Sequence, residues 1–232
     1  MKNTKPKKRY FSTFEILLWS VSMLFIVGSY LLFDRSNLFS LMSSIIGITS
    51  LLFVAKGNPI GQIIMVIFCI MYGIISYSFA YYGEVITYLG MSLPMAVCAL
   101  VAWLRNPYKN KKSEVKINII TKREICFMLF LSVIVTVAFY FILDYFNTAN
   151  IIPSTISVLT SFAAAYLLFR RSPYFALVYA LNDIVLIVLW VLATMTDTSY
   201  ISVVVCFIVF LANDLYSFFN WQRMQRKQAR GE

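Results

Sequence analysis

Residues 174–194 read YFALVYALNDIVLIVLWVLAT, and residues 200–219 read YISVVVCFIVFLANDLYSFF. Each run is long enough to cross a bilayer as a helix, for which about 20 predominantly apolar residues suffice. Each also holds an Asn-Asp pair in its interior, Asn182-Asp183 in the first and Asn213-Asp214 in the second. An ionised carboxylate near mid-bilayer costs roughly 2.5 to 3.5 kcal/mol on insertion scales, so such groups face a bundle interior or a wet cavity. Two pairs on consecutive spans predict one shared polar cavity inside a membrane.

Apolar stretches recur on the N-terminal side of these spans as well. The chain has 232 residues, is 60% hydrophobic and has a mean hydropathy of +0.77. That leaves too little polar surface to coat a soluble globule. The fold class expected is an all-α polytopic membrane protein. The candidate spans are Phe14 to Phe33, Leu38 to Ala55, Ile60 to Ala80, Val85 to Leu104, Ile125 to Leu143, Ile151 to Phe169, Tyr174 to Thr194 and Tyr200 to Phe219. Pro153 falls in the first turn of the sixth, where its missing N–H would have no helical partner anyway. The first run has no small-residue cleavage site after it and is read as a retained helix.

The formal charge is +10. Placed between eight spans with both ends on one side, every Lys and Arg except Arg35 falls on that side: Lys2 to Arg9, Lys56, Arg105 to Arg123, Arg170 and Arg171, and Arg223 to Arg230. Such a bias sets orientation, positive side cytoplasmic. The charge is therefore topogenic, with anionic lipid headgroups as the expected partner and no nucleic acid.

Cys69, Cys98, Cys126 and Cys206 sit in separate apolar spans and read as small buried hydrophobes, without disulfide or metal spacing. Histidine is absent. No nucleotide-binding, hydrolase or metalloprotease motif occurs. The chain is not expected to be an enzyme, needs no cofactor or metal, and any transport would run on gradients.

The segment Arg105 to Glu124 divides the chain. Its Val115, Ile117, Ile119 and Ile120, interleaved with Lys116 and Lys122, suit either the membrane surface or a solvated linker. On each side of it a similar pattern appears. A span ends at Lys56-Gly-Asn-Pro59, a long span follows to Tyr81-Tyr-Gly-Glu84, and a third ends at Trp103-Leu-Arg-Asn106; later the ends are Arg170-Arg-Ser-Pro173, Asp197 and Asn220-Trp-Gln-Arg223. Units with an odd number of spans share an orientation only if one helix inverts the chain between them, a role that falls to 125–146. The expected organisation is a basic tail (1–13), an extra helix (14–33), a three-helix unit (37–104), a loop (105–124), the linking helix (125–146), a second three-helix unit (151–221) and a basic tail (222–232). Parallel repeats of this 3+1+3 kind place a substrate site near the midplane.

At 100 degrees per residue, Tyr179, Asn182, Asp183, Leu186 and Trp190 fall within an arc of about 100 degrees. Asp183 lies about 13 Å from the basic end, at roughly 1.5 Å per residue. Asn213 shares a face of the last span with Cys206, Ser217 and Asn220, flanked by Asp214 and Tyr216. In the first unit Tyr72 and Ser76 share a face with Phe68 and Phe79, and Gln62 lies near the basic end. Amides donate and accept, carboxylates accept from hydroxyls, and aromatic faces stack on flat rings or attract a cation. A ligand with a ribose and a flat heterocycle suits that set. Asn213 also reads as an interhelical bond. Trp19, Trp103 and Trp221 read as interfacial anchors, and Tyr81, Tyr82 and Tyr88 as belt aromatics.

These residues resemble the PnuC family of vitamin transporters, over about Ser43 to Met224. The resemblance rests on Leu181-Asn182-Asp183, on Leu211-Ala-Asn213-Asp214-Leu-Tyr216-Ser-Phe-Phe-Asn220-Trp221-Gln-Arg223, and on Tyr82-Gly83-Glu84 with Trp103-Leu-Arg-Asn106. The family asparagines of the last two helices match Asn182 and Asn213. Where many members have Tyr-Gly-Trp before the fourth-span Trp, this chain has Ala99-Leu-Val-Ala102, which implies a different first-unit wall. The resemblance implies a SWEET-like 3+1+3 bundle in a bacterial plasma membrane. It further implies facilitated diffusion of nicotinamide riboside, with a cytoplasmic kinase trapping the product for NAD synthesis. The resemblance implies substrate-binding roles for Asn182 and Asn213, and the polar and aromatic residues read from the spans complete the expected set: Tyr72, Tyr179, Asp183, Trp190, Asp214 and Tyr216. Thiamine, riboflavin or a deoxynucleoside as cargo, a non-transporting binding subunit, and a homo-oligomeric state remain open at this point.

Overall fold

The computed structural model describes residues 10–35, 38–78, 82–148 and 150–231. Lys2 to Arg9, Phe79 and Tyr81 lie outside the described residues, as do the side chains of Ser76, Tyr82 and Glu84. The helices are α1 Thr13–Phe33, α2 Leu38–Ala55, α3 Ile60–Ser78, α4 Tyr82–Val85, α5 Leu93–Leu104, α6 Lys122–Tyr145, α7 Ile151–Phe169, α8 Phe175–Thr194 and α9 Ile201–Ala229. A π-helical stretch, Ile86–Ser92, joins α4 to α5. Seven segments among the described residues are long and apolar enough to cross a membrane, and α3 adds a shorter apolar stretch, Ile60–Ile74. The all-α polytopic expectation holds.

Local chemistry fixes the helix starts. Ser12 caps α1 and Thr121 caps α6, each in a reciprocal box with the glutamate three residues on, Glu15 and Glu124. Such boxes satisfy two backbone donors that a helix start otherwise leaves orphaned. Glu15 does more than cap. Buried to 2% exposure, it accepts from Lys56 Nζ at 3.0 Å and from the Tyr216 hydroxyl at 2.8 Å, tying α1 to α2 and α9.

In the bundle, α2 packs on α3 and α3 on α5; α7 packs on α8 and α8 on α9. The two sets meet crosswise, α2 against α9 and α5 against α7, while α6 lies on α7 and α1 on α2 and α9. Close helix approach needs small residues where lipid supplies no hydrophobic drive. Gly61 is such a point: a Cβ there would stand 2.7 Å from the Val54 backbone nitrogen, and Ser50 Oγ donates to the Gly61 carbonyl at 2.8 Å.

At the basic end the two sets are bolted together by a matched pair of bonds. Trp103, at the end of α5, donates its indole N–H to Leu168 O of α7 at 3.0 Å; Trp221, on α9, donates to Val54 O of α2 at 2.9 Å. Both acceptors lie just before a turn with a left-handed residue, Gly57 (φ 64°) and Arg171 (φ 59°). Helix ends of this kind expose carbonyls that want donors. Both tryptophans are fully buried with ring centroids 5.4 Å apart, and Phe175 stands 4.9 Å from Trp221. The reading of Trp103 and Trp221 as interfacial anchors is therefore wrong, because their N–H groups serve helix carbonyls rather than headgroups. Trp19, half-buried, points its N–H at Thr49 Oγ1 at 3.4 Å.

The segment after α5 is neither a surface strip nor a solvated linker. Strands β1 Pro107–Tyr108 and β2 Lys111–Val115 form an antiparallel hairpin closed by Lys109 and Asn110, both at positive φ (47° and 60°), the conformation of a two-residue type I′ turn. Val115 is fully buried. Its N–H goes to Gly57 O at 2.9 Å, Lys116 N to Asn106 O at 2.8 Å, Asn118 N to Arg171 O at 3.1 Å, and Ile117 N to Gln228 Oε1 at 2.9 Å. The strap thus satisfies the exposed carbonyls of both left-handed turns, and Val115, Ile117 and Ile120 pack on the core while Ile119 stays exposed. Helix α9 runs on past Phe219 to supply Gln228. Of the cysteines, Cys69 is buried and Cys206 partly so, whereas Cys98 and Cys126 are exposed on the outer surface of the bundle. On a lipid-facing side a thiol meets no penalty that would draw it inward.

Replacing Trp103 or Trp221 with Phe removes one buried hydrogen bond and leaves a small void. Each change is expected to cost about 1–3 kcal/mol of unfolding stability, read as a lower thermal midpoint in detergent. Unchanged midpoints would show that the crossed bonds do not hold the sets together.

Candidate functional site

Between the two sets lies a cavity of about 150 Å³. From α3 it takes Gln62, Met65, Phe68 and Cys69; from the π-helical stretch Thr87 and Tyr88; from α7 Ser154, Ser157, Ser161, Ala165 and Leu168; and from α8 Tyr179, Asn182, Asp183, Leu186 and Leu189. Gly83 and Thr148 line its end away from the basic face. The buried Trp103–Trp221–Phe175 cluster packs with Leu168 and Tyr179 at the other end. The cavity therefore sits in the membrane interior and is stoppered on the basic side by aromatic rings.

Asn182 is 6% exposed and its amide is fixed by α7. Thr160 Oγ1 lies 2.8 Å from Asn182 Oδ1, with Ser161 at 3.2 Å and Ser157 at 3.3 Å. A carbonyl oxygen has two lone pairs, so the three hydroxyls compete, and Thr160 and Ser161 each have a backbone carbonyl as an alternative. With the oxygen held toward α7, the NH₂ group is the end turned away from those hydroxyls. It is a donor without a partner among the described residues.

Asp183, 4% exposed, follows on the same wall. Its carboxyl stands beside that of Asp214 from α9, itself 3% exposed. One oxygen of each, Asp183 Oδ2 and Asp214 Oδ1, has no partner among the described residues. Two carboxylates in one buried site repel, so a proton shared between them lowers the cost of the pair. Among the described residues neither has a salt-bridge partner. A buried polar group left unpaired costs about 1–3 kcal/mol, which makes the pair receptive to a cationic or hydroxylated ligand.

Of the eight residues expected at the site, the structure brings Tyr179, Asn182 and Asp183 to this cavity, with Asp214 behind Asp183. Tyr72 reaches it indirectly. Its ring lies 4.3 Å from that of Tyr88, and it lines a smaller adjoining cavity of about 60 Å³ that shares Phe68, Tyr88, Phe207 and Phe210 with the larger one. The remaining three are elsewhere. Asn213 donates to Ser22 Oγ at 3.0 Å and to Val209 O at 2.8 Å, so it fastens α9 to α1. Tyr216 serves Glu15. Trp190 packs on Tyr200, ring centroids 5.2 Å apart, beyond the cavity.

Tyr88 was misread as a belt aromatic because a π-helical turn, wider than an α-turn, shifts which face its residues present. Ser154, Ser157 and Ser161, spaced along one face of α7, add hydroxyls to the wall that the Asn-Asp pairs alone do not signal. Among the described residues, no group of three or more His, Cys, Asp or Glu side chains could hold a metal ion.

If Asp183 and Asp214 act as one unit, their substitutions will not add. Asp183→Leu and Asp214→Leu, alone and together, are expected to show a coupling of about 0.5–3 kcal/mol in a double-mutant cycle of thermal stability. Additive effects would separate the two groups.

Comparison with known proteins supplies the family. A sequence profile described as that of the nicotinamide mononucleotide transporter matches residues 37–223. A Neisseria mucosa protein named nicotinamide riboside transporter PnuC is 21% identical over 216 residues, covering 91% of this chain and 82% of its own length. A structure titled "Crystal structure of the Vitamin B3 transporter PnuC" superposes with a TM-score of 0.79 at 20% identity, covering 94% of each chain. At that identity the superposition speaks for the fold. The profile match spans most of the chain, and the chain belongs to the nicotinamide mononucleotide transporter family.

Proposed function

We propose that this protein carries nicotinamide riboside across the bacterial plasma membrane, down its gradient, with both termini in the cytoplasm. The observation that carries the reading is the cavity wall at Asn182-Asp183: an unpaired amide donor next to a carboxyl pair, faced by Tyr179, Tyr88 and Phe68. A ribosylated pyridinium offers the complement of each part, namely hydroxyls for the amide and carboxyl, a flat ring for the aromatics, and a positive charge for the uncompensated acid pair. A cavity of this volume in another protein holds benzene, so the space receives the ring as it stands. The ribose needs the wall toward Thr148 to part.

Such parting is what alternating access requires. We take the sets α2–α5 and α7–α9 as the two three-helix units and α6 as the helix that inverts the chain between them. Rocking of one unit against the other about a fixed central site moves the opening from one face to the other. In this arrangement the crossed tryptophan bonds and the 115–118 strap hold the cytoplasmic side shut, and they must release for delivery inward. Net uptake then depends on a cytoplasmic kinase that phosphorylates the vitamin, since a phosphate monoester has no complement in the cavity.

Thiamine is the second reading, favoured by the same combination of acid pair and aromatic rings, which suits any cationic heteroaromatic ring. The test is uptake of labelled nicotinamide riboside into vesicles enclosing a trapping kinase, with unlabelled thiamine as competitor. Wild type is expected to accumulate label, while Asn182→Ala and Asp183→Asn each lose about tenfold or more in apparent affinity, the worth of a buried hydrogen bond to a charged or unpaired group. Equal uptake by all three proteins would remove the site; strong competition by thiamine would replace the cargo.

A further inference from the structure

Gln62 stands in the cavity wall with nothing to do. It is fully buried, and neither its Oε1 nor its Nε2 has a hydrogen-bond partner among the described residues. On α3 it shares a face with Met65 and Cys69, and all three line the cavity. It therefore lies on the cavity side of its helix, at the end nearer the aromatic stopper. A primary amide with both atoms unsatisfied is costly, because donor and acceptor each forfeit a bond that water would have given. Natural interiors leave few such groups, and each calls for an explanation.

We propose that Gln62 is a specificity-determining residue that reads a primary carboxamide on the ring of the transported molecule and selects it over the corresponding carboxylic acid. The assignment rests on the function proposed above and extends it to the far end of the cavity from the Asn182 donor. One donor and one acceptor side by side are the mirror of a carboxamide: N–H of each amide meets the C=O of the other in a reciprocal two-bond pair. A carboxylate at the same place offers only acceptors. One of its oxygens would face Gln62 Oε1 lone pair to lone pair, leaving that oxygen unpaired. Sites built to pair with a polar group reject analogues that cannot answer them far more strongly than apolar pockets reject a size change.

The experiment uses the full-length protein in vesicles with a trapping kinase, measuring inhibition of labelled nicotinamide riboside uptake by unlabelled nicotinamide riboside and by nicotinic acid riboside. Wild type is expected to discriminate against the acid by about tenfold or more. Gln62→Met and Gln62→Leu keep the volume but lose both polar atoms. Each is expected to weaken amide inhibition about tenfold and to bring the amide-to-acid ratio near one. Without vitamin, their thermal midpoints should equal or exceed that of wild type, since an unsatisfied buried group has been removed. Retention of the wild-type ratio in both variants would overturn the proposal. So would a lowered midpoint in the absence of ligand, which marks a structural amide. Failure of wild type itself to take up nicotinamide riboside is a different result: it removes the cargo assignment on which this inference depends.

Discussion

A carboxyl group in the middle of a bilayer has no water to fall back on, and the architecture around Asp183 follows from that fact. It is buried by α8 on one side and met by Asp214 of α9 on another, while an oxygen of each remains unanswered. Nearby, Asn182 is held by hydroxyls of α7. The wall is rigid where it meets its own protein and unfinished where it meets the hollow. In a membrane interior an unfinished polar wall is expensive, and its cost is offset only by a ligand that completes it or by water admitted when the cavity opens.

The basic end answers the opposite need. There helix-end carbonyls find donors from elsewhere in the chain: Trp103 for Leu168 O of α7, Trp221 for Val54 O of α2, Asn220 for Ala55 O, and the 115–118 strap for both left-handed turns. Aromatic rings fill the space between them. The two ends are thus built from different materials, an interlocked aromatic stopper on one side and a cavity edged by Gly83, Thr87 and Thr148 on the other. A barrier of discrete bonds between two packed bodies is bistable rather than continuously deformable, which is the property an access gate requires.

The amino-acid sequence displayed much of this and hid the rest for identifiable reasons. Polar residues inside apolar runs are conspicuous, so Asn182 and Asp183 stood out. Asn213-Asp214 has the same two letters, yet neighbouring positions on a helix point about 100 degrees apart. Asp214 consequently meets Asp183, while Asn213 meets Ser22 of α1, and no pattern in α9 alone distinguishes the two fates. Trp190 lies two turns beyond Asp183 on the same face, but Tyr200 covers it there. The buried tryptophans were mistaken for anchors because position at a span end is a property of sequence, whereas what lies opposite is a property of the fold. The strap was opaque for a similar reason, since its backbone donors serve turns that are distant in sequence.

The central claim, that the vitamin rests against Asn182 and Asp183 between the two halves, is tested most directly by a structure of the protein with nicotinamide riboside bound. The account predicts the ligand in the larger cavity, within hydrogen-bonding distance of Asn182 Nδ2 and an oxygen of Asp183, with its ring beside Tyr88 or Tyr179. A ligand seated instead in the smaller cavity by Tyr72, or outside the bundle with the Asp183–Asp214 wall unchanged, would contradict it.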